Sequence, residues 1–314
     1  AIVRCLAAMH GDEAFWPRDP LARARLDKWA EWGKVTLGGA FIGPVFIPLV
    51  RLTEAQRDML NDHAVHVTTP DWPCHIPDIK IRGREYLKSC VCRPFINKIF
   101  PGYDYYFWMD PDTWVQNWRG VDLFLQGAAR GKIALTAQSD RAYPKGMRVK
   151  FLGHWPFKAR SFYYSNAKKA FGIKTAQELF PYHQLLAGAF CLHKDAPHWD
   201  IWQDLLIEAV TSRYGKAFTA EQLTLGMMVY LEGCPAEILP AWTHWTCEHK
   251  LKWDPKNGKW VEPFLPHEEI SILHLSSYDD MRVDRSVRTD FLTVDDKEIS
   301  LSYRYAGYDG ERAA

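Results

Sequence analysis

The chain has 314 residues, 47% of them hydrophobic and 25% charged, with 39 Lys and Arg against 38 Asp and Glu. This is ordinary globular composition, long enough for one large α/β domain or two small ones. The balanced charge argues against a nucleic-acid partner, and no apolar run approaches the roughly 18 residues of an integral membrane segment. AIVRCLAAM (1–9) reads as a first strand, and GGAFIGPVFIPLV (38–50), broken by Gly43, Pro44 and Pro48, as buried strand and turn. Thr53 is placed to cap a helix over 53–62, AVHVTT (64–69) reads as a strand, and a helical region covers 83–99. DYYFWMD (104–110) and KIALTAQS (132–139) read as strands, the second followed by a basic loop through Lys150. LLAGAFCLHK (185–194) is a further strand. Beyond it Pro197 opens a helix with Trp199, Trp202, Leu206 and Val210 on one face, closed by Gly215. TAEQLTLGMMVYLEG (219–233) is a second helix, Asn257-Gly258 marks a hairpin between Trp253 and Trp260, and SILHLSS (271–277) is a last buried strand. Alternation of strands and helices predicts a single α/β domain with a mostly parallel central sheet flanked by helices.

Seven cysteines, at 5, 74, 90, 92, 191, 234 and 247, form no CxxC pair. They suit neither a zinc site nor a disulfide framework, and predict reduced thiols in a cytoplasmic protein. No signal peptide is legible; the sequence does not open on Met, and targeting is left open.

The chemistry concentrates in FWMDPDTWVQNW (107–118), where Asp110 and Asp112 close an aromatic run. Residues two apart on a strand share a face, so both carboxylates can converge on one ligand. Two such groups repel and are costly to desolvate, and a divalent cation with hard-oxygen preference, Mg²⁺ or Mn²⁺, removes both problems. The plain alternative is a surface turn in which Asp-Pro-Asp is punctuation. Two enzyme classes place such a triplet after a strand. In a haloacid-dehalogenase-type phosphatase Asp110 would be the nucleophile, with Asp279 and Asp280 near the metal. In a GT-A glycosyltransferase the pair would hold a metal on a nucleotide-sugar diphosphate. About a hundred residues precede the triplet, which favours the transferase.

CRPFINKIFPGYDYYFWMDPDTWV (92–115) resembles the corresponding segment of glycosyltransferase family 8, the retaining galactosyl- and glucosyltransferases related to glycogenin. In that resemblance Arg93 matches an arginine that touches the donor, and Gly188 of LLAGAFCLHK matches the glycine that lets the donor sugar approach the backbone. Glu221-Gln222 resembles the acid-Gln pair facing the reacting carbon, and His274 the histidine that completes the metal site. The resemblance implies a GT-A (Rossmann-like) fold with a nucleotide-binding half at 1–109, a metal, donor-sugar and acceptor half at 110–290, and a tail at 291–314. It implies Mn²⁺, with Mg²⁺ as the alternative, held by Asp110, Asp112 and His274, and a hexose moved from a UDP-sugar to a carbohydrate or glycoconjugate with retention. Gln222 would face the anomeric carbon, Glu221 and Asp140 would hold sugar hydroxyls, and Arg93 with Lys145, Arg148 or Lys150 would offset diphosphate charge. Apart from the resemblance, the Trp- and His-rich stretch 240–263 reads either as a lid or acceptor platform, with Trp242 or Trp245 stacking on a sugar ring, or as core packing. Four departures stand beside the resemblance: Leu186 where the family has Asn, Glu221 where it has Asp, LSSYDDMR after His274 without the usual Gly and Lys-Pro-Trp, and Pro94 inside the expected helix. A degenerate transferase that only binds carbohydrate is the non-enzyme alternative. Peripheral membrane contact is left open.

Overall fold

The computed structural model describes residues 68–143 and 148–304. The expected elements at 1–9, 38–50 and 53–62, most of 64–69, and Lys145 lie outside the described residues.

Short helices α1 (Asp78–Ile81) and α2 (Leu87–Val91) lead into a 3-10 turn at Arg93–Phe95 and then α3 (Ile96–Ile99). The single helix expected over 83–99 is broken here because Pro94 has no N–H and its ring crowds the preceding turn. There follow β1 (Tyr105–Met109), β2 (Thr113–Val115), α4 (Arg119–Ala129) and β3 (Ile133–Ala137). The expected basic loop is instead a hairpin, β4 (Arg148–Leu152) with β5 (Trp155–Arg160). Next come α5 (Phe162–Ala170), α6 (Ile173–Leu179), β6 (Leu185–His193), α7 (His198–Thr211), α8 (Ala220–Tyr230) and β7 (Ala236–Leu239). The chain ends with β8 (Trp245–Thr246), β9 (Lys252–Asp254), β10 (Lys259–Val261), β11 (Ile272–His274), α9 (Asp279–Val283), β12 (Thr289–Thr293) and β13 (Glu298–Leu301).

These elements fall into two compact units. Of the described residues, one contains Pro70–Trp108 and Asp122–Ala241, and the other contains Met109–Val121 and the chain from Trp242 onward.

The first unit is built on a sheet of order β1-β6-β3-β7, in which β3 runs antiparallel to β6 and parallel to β7. Residues 138–184 leave and re-enter this sheet at one end, since Ala137 faces Leu185, and that return forces β6 to run against β3. The fold is therefore mixed α/β, and the three larger sheets all mix parallel and antiparallel pairs rather than forming the mostly parallel sheet expected. Strand β3 is buried along its whole length, and Leu135, Leu185, Phe190 and Leu192 pack with Trp199 and Trp202 of α7. The α7 stripe expected from spacing, Trp199, Trp202, Leu206 and Val210, is buried, and the helix stops at Thr211, short of Gly215. Gly226 in α8 permits the Tyr163 ring to lie directly against the helix, where any Cβ would collide with its hydroxyl end. That hydroxyl accepts the Leu185 N–H at 2.8 Å, tying α5 to the start of β6.

In the second unit β2-β11-β8 form a three-stranded sheet and β10-β9-β12-β13 a four-stranded one. Trp253 and Trp260 are register partners in the β9–β10 hairpin, as the Asn257-Gly258 signal predicts, although the turn spans four residues. The segment expected as a tail carries most of β12 and all of β13, and β12 runs parallel to β9. Phe291 packs edge to face on both Trp260 and Tyr303, whose own rings meet at a tilt. Gln116 clamps the hairpin: its amide donates to the Trp260 and Ile270 carbonyls, and its carbonyl accepts the Trp260 N–H at 2.8 Å. Among the described residues no helix is long and apolar enough to cross a membrane.

Candidate metal centre

The acidic pair does not sit on the strand but in a turn directly after it. Asp110-Pro111-Asp112-Thr113 closes with the Thr113 N–H donating to the Asp110 carbonyl at 3.1 Å, and the Thr113 hydroxyl donates to the same oxygen at 2.6 Å. Asp at the first position and Pro at the second suit a β-turn. The carboxylates converge through the turn, not through the pleat expected from their spacing. Each is only 14% exposed, so the turn is more than surface punctuation.

His274 reaches this turn because β11 pairs antiparallel with β2, setting His274 opposite Thr113, and the Leu275 N–H donates to the Asp112 carbonyl at 2.9 Å. Its Nε2 lies 3.2 Å from Asp112 Oδ1 and 3.8 Å from Asp110 Oδ2. One ligand atom from each of Asp110, Asp112 and His274 lies within 4.8 Å of the others. Among the described residues this is the one group of three His, Cys, Asp or Glu side chains so placed. Two carboxylate oxygens and an imidazole nitrogen suit a divalent ion, and the nitrogen favours Mn²⁺ over Mg²⁺.

Two neighbours that sequence reasoning missed complete the cluster. His244 precedes β8, which runs parallel to β11, and its Nε2 stands 3.1 Å from His274 Nδ1 with the rings stacked. Arg282, on α9, donates from Nη2 to Asp112 Oδ2 at 2.8 Å, from Nη1 to Asp279 at 2.6 Å and from Nε to the Leu275 carbonyl. Nothing local marks His244, which lies 30 residues from its partner. Arg282 stands in the LSSYDDMR segment after His274, and a cation eight residues after a candidate ligand was the available signal.

Burial pushes the His274 imidazole down, but the Asp112 carboxylate, which it also hydrogen-bonds, and Asp110 outweigh burial, and its pKa is raised. Burial likewise raises Asp112, yet His274 and Arg282 hold it well below the usual carboxylate range. His244 is buried completely and, with His274 beside it, is driven well below the ordinary imidazole value. It is therefore a neutral ring. Asp279 and Asp280, assigned to the metal in the phosphatase alternative, lie in the first turn of α9, where Asp279 is 86% exposed and paired with Arg282.

The remaining expected residues lie in the other unit. The ladder between β3 and β6 slips between Leu135–Phe190 and Thr136–Leu186, so Ala187, Gly188 and Ala189 bulge from the strand. Arg93 is 6% exposed, and its Nη1 donates to the Ala187 carbonyl at 3.1 Å and to Glu221 Oε1 at 3.2 Å, while its guanidinium lies 5.3 Å from the Trp108 ring centre. Arg93, Gly188 and Glu221 are thus brought together, with half-buried Gln222 next along α8. Asp140 follows β3, and its carboxylate accepts the Ala142 N–H at 2.9 Å, capping its own turn. Lys150 is exposed on β4. Trp245 is fully buried and Trp242 only 8% exposed, so these rings fill the interior instead of offering an acceptor platform.

No family model matches the chain. Glutathione S-transferase GstB of Escherichia coli K12 is 41% identical to it over 58 residues, 18% of this chain and 27% of that protein, and its counterpart in Escherichia coli O6:H1 gives the same figures. The chain spans about a quarter of the length of these curated relatives. So short a shared stretch assigns no activity to the whole.

Proposed function

We propose that the chain is a metal-dependent glycosyltransferase of GT-A type that moves a hexose from a UDP-sugar to a carbohydrate or glycoconjugate acceptor. The observation that carries the reading is the convergence of Asp110, Asp112 and His274, from a turn and a paired strand, on a space within 4.8 Å. Asp110, Asp112 and the Nε2 of His274 would hold Mn²⁺. When bound, the ion supplies Lewis acidity that offsets the charge on a departing diphosphate. Arg282 takes one oxygen of Asp112 and leaves the other turned to His274, and it puts a cation beside the site from the segment where the resemblance expects a lysine. In the other unit Arg93 secures the Ala187 carbonyl beside Gly188, keeping the bulge open where the resemblance places the donor sugar. Gln222 follows as the polar group for the reacting carbon, with retention resting on the resemblance alone.

The test is a thermal-shift series with UDP, GDP, ADP, CMP and TDP, each with and without Mn²⁺, on the wild type and Asp112→Asn. A ligand that binds only the folded chain raises its melting temperature, by about 2.7 kcal/mol of added stability at a hundredfold excess over Kd. The expected result is a rise for UDP that needs Mn²⁺ and vanishes in the variant. A nucleotide shift independent of metal, or none with any nucleotide, overturns the proposal.

A further inference from the structure

The β4–β5 hairpin has no use in the chemistry above and is unlike the rest of the molecule. It forms a sheet of its own with two strands, and such a hairpin is at best marginally stable in water. Gly153, the first of its two turn residues, has φ 59°, the left-handed conformation a tight hairpin turn requires. The apolar residues about that turn face solvent instead of a core: Trp155 is 80% exposed, Leu152 73% and Phe151 60%. Behind them, Lys150 and Lys158 are register partners, as are Arg148 and Arg160. Like charges placed opposite one another disfavour pairing, so two cationic rungs with one rung, Val149–Ala159, between them point to an anionic partner. The bias extends beyond the hairpin. Between Asp140 and Glu178 the sequence has nine Lys or Arg and no acidic residue, in a chain whose formal charge is +1.

We infer that this hairpin docks on an anionic lipid bilayer, its Leu152–Trp155 end entering the headgroup boundary while the cationic stretch around it is attracted to the lipid phosphates. Trp favours that boundary because one ring holds both an apolar body and a polar N–H. Beside Trp155 and Phe151, the exposed Leu152 and Val149 add aliphatic surface that a base-stacking platform does not use and a bilayer does. A second copy of the chain would bring nine cations against nine.

Flotation of the full chain with vesicles tests the inference, using phosphatidylcholine alone or mixed with phosphatidylglycerol. Binding to the mixed vesicles only, weakened by salt, is expected. Leu152→Ser with Trp155→Ser should lower the bound fraction by about tenfold or more. Lys150→Gln with Lys158→Gln should do so by a similar factor. Because Leu152 and Trp155 are so exposed, the melting temperature of the first variant should match the wild type. Equal binding to neutral vesicles, no binding by the wild type, or unchanged binding by the tip variant each overturn the inference. So does a dimer in light scattering that the tip variant dissolves, which would make the occupant a second copy.

Discussion

At the scale of single residues, the tautomer of His274 decides whether its Nε2 can act as a ligand. That nitrogen needs a lone pair, so the proton must sit on Nδ1, and the neutral His244 ring 3.1 Å away is placed to accept it. Partners that orient a ligating imidazole are commonly worth 10–100-fold in metal affinity. His244→Phe should therefore weaken Mn²⁺ binding by about that factor, read by electron paramagnetic resonance titration of free Mn²⁺. His244→Gln, which can still accept the proton, should recover part of the loss. Equal affinity in wild type and His244→Phe would show that the ring orients nothing. A second residue carries strain. Ser277, three residues past His274, has φ 66°, a conformation that costs a side-chain-bearing residue about 1–2 kcal/mol. Ser277→Gly removes that cost and adds about 0.5–1 kcal/mol of chain entropy to lose. A net gain of roughly 0.5–1 kcal/mol is expected, seen as a higher urea midpoint at unchanged slope.

At the scale of elements, the bulge in β6 and the Arg93–Glu221 pair form one device. The β3 ladder slips beside Ala187, Arg93 donates to its carbonyl, and Glu221 at the start of α8 balances the charge, joining the 3-10 turn, the strand and the helix. Removing one partner of such a buried pair leaves the other charge without compensation, at about 3–5 kcal/mol. Glu221→Gln should lose roughly 3 kcal/mol in chemical denaturation, whereas a glutamate that only held sugar hydroxyls would leave stability intact. Elements like β1, β3, β6, α7 and α8 were legible because each declares itself in a few consecutive residues: an aromatic run, a buried run, a Trp stripe at helical spacing. The members of the Asp110–Asp112–His274 cluster were legible as residue types, but not the means of their meeting. Spacing alone placed Asp110 and Asp112 on a pleat, while Pro111 folds them into a turn. His244 and Arg282 join through pairings of β11 and α9 that no local pattern encodes. The β4–β5 hairpin is not legible as strands because its alternation is masked by basic residues on an exposed ribbon.

At the scale of the whole molecule, a formal charge of +1 conceals strong segregation, since the stretch from Arg141 to Gln177 alone contributes nine positive charges. Bulk balance therefore says nothing of an anionic surface that meets the chain locally. Titration shows the same contrast between total and local chemistry. His198, at the start of α7, is fully buried, and its Nε2 donates to the Pro235 carbonyl at 2.8 Å. Burial lowers its pKa, and the hydrogen bond offsets only part of that. Below the ordinary value of 6.5 the unfolded chain takes up a proton that the folded ring resists. The stabilisation from the neutral ring is thus complete above that pH and is lost as pH falls toward the folded value. For one proton the slope reaches at most about 1.4 kcal/mol per pH unit. Asp112 acts only as pH falls through the ordinary carboxylate value of 3.8, whereas His244, lowered in the same way, adds to the fall and His274, raised, opposes it, so His198 accounts for one part of the slope. Urea midpoints measured from pH 7.5 to 5 should fall for the wild type, and His198→Gln, which keeps a donor for Pro235 and cannot titrate, should flatten that fall. An unchanged slope in the variant would place the acid sensitivity of this fold in other groups.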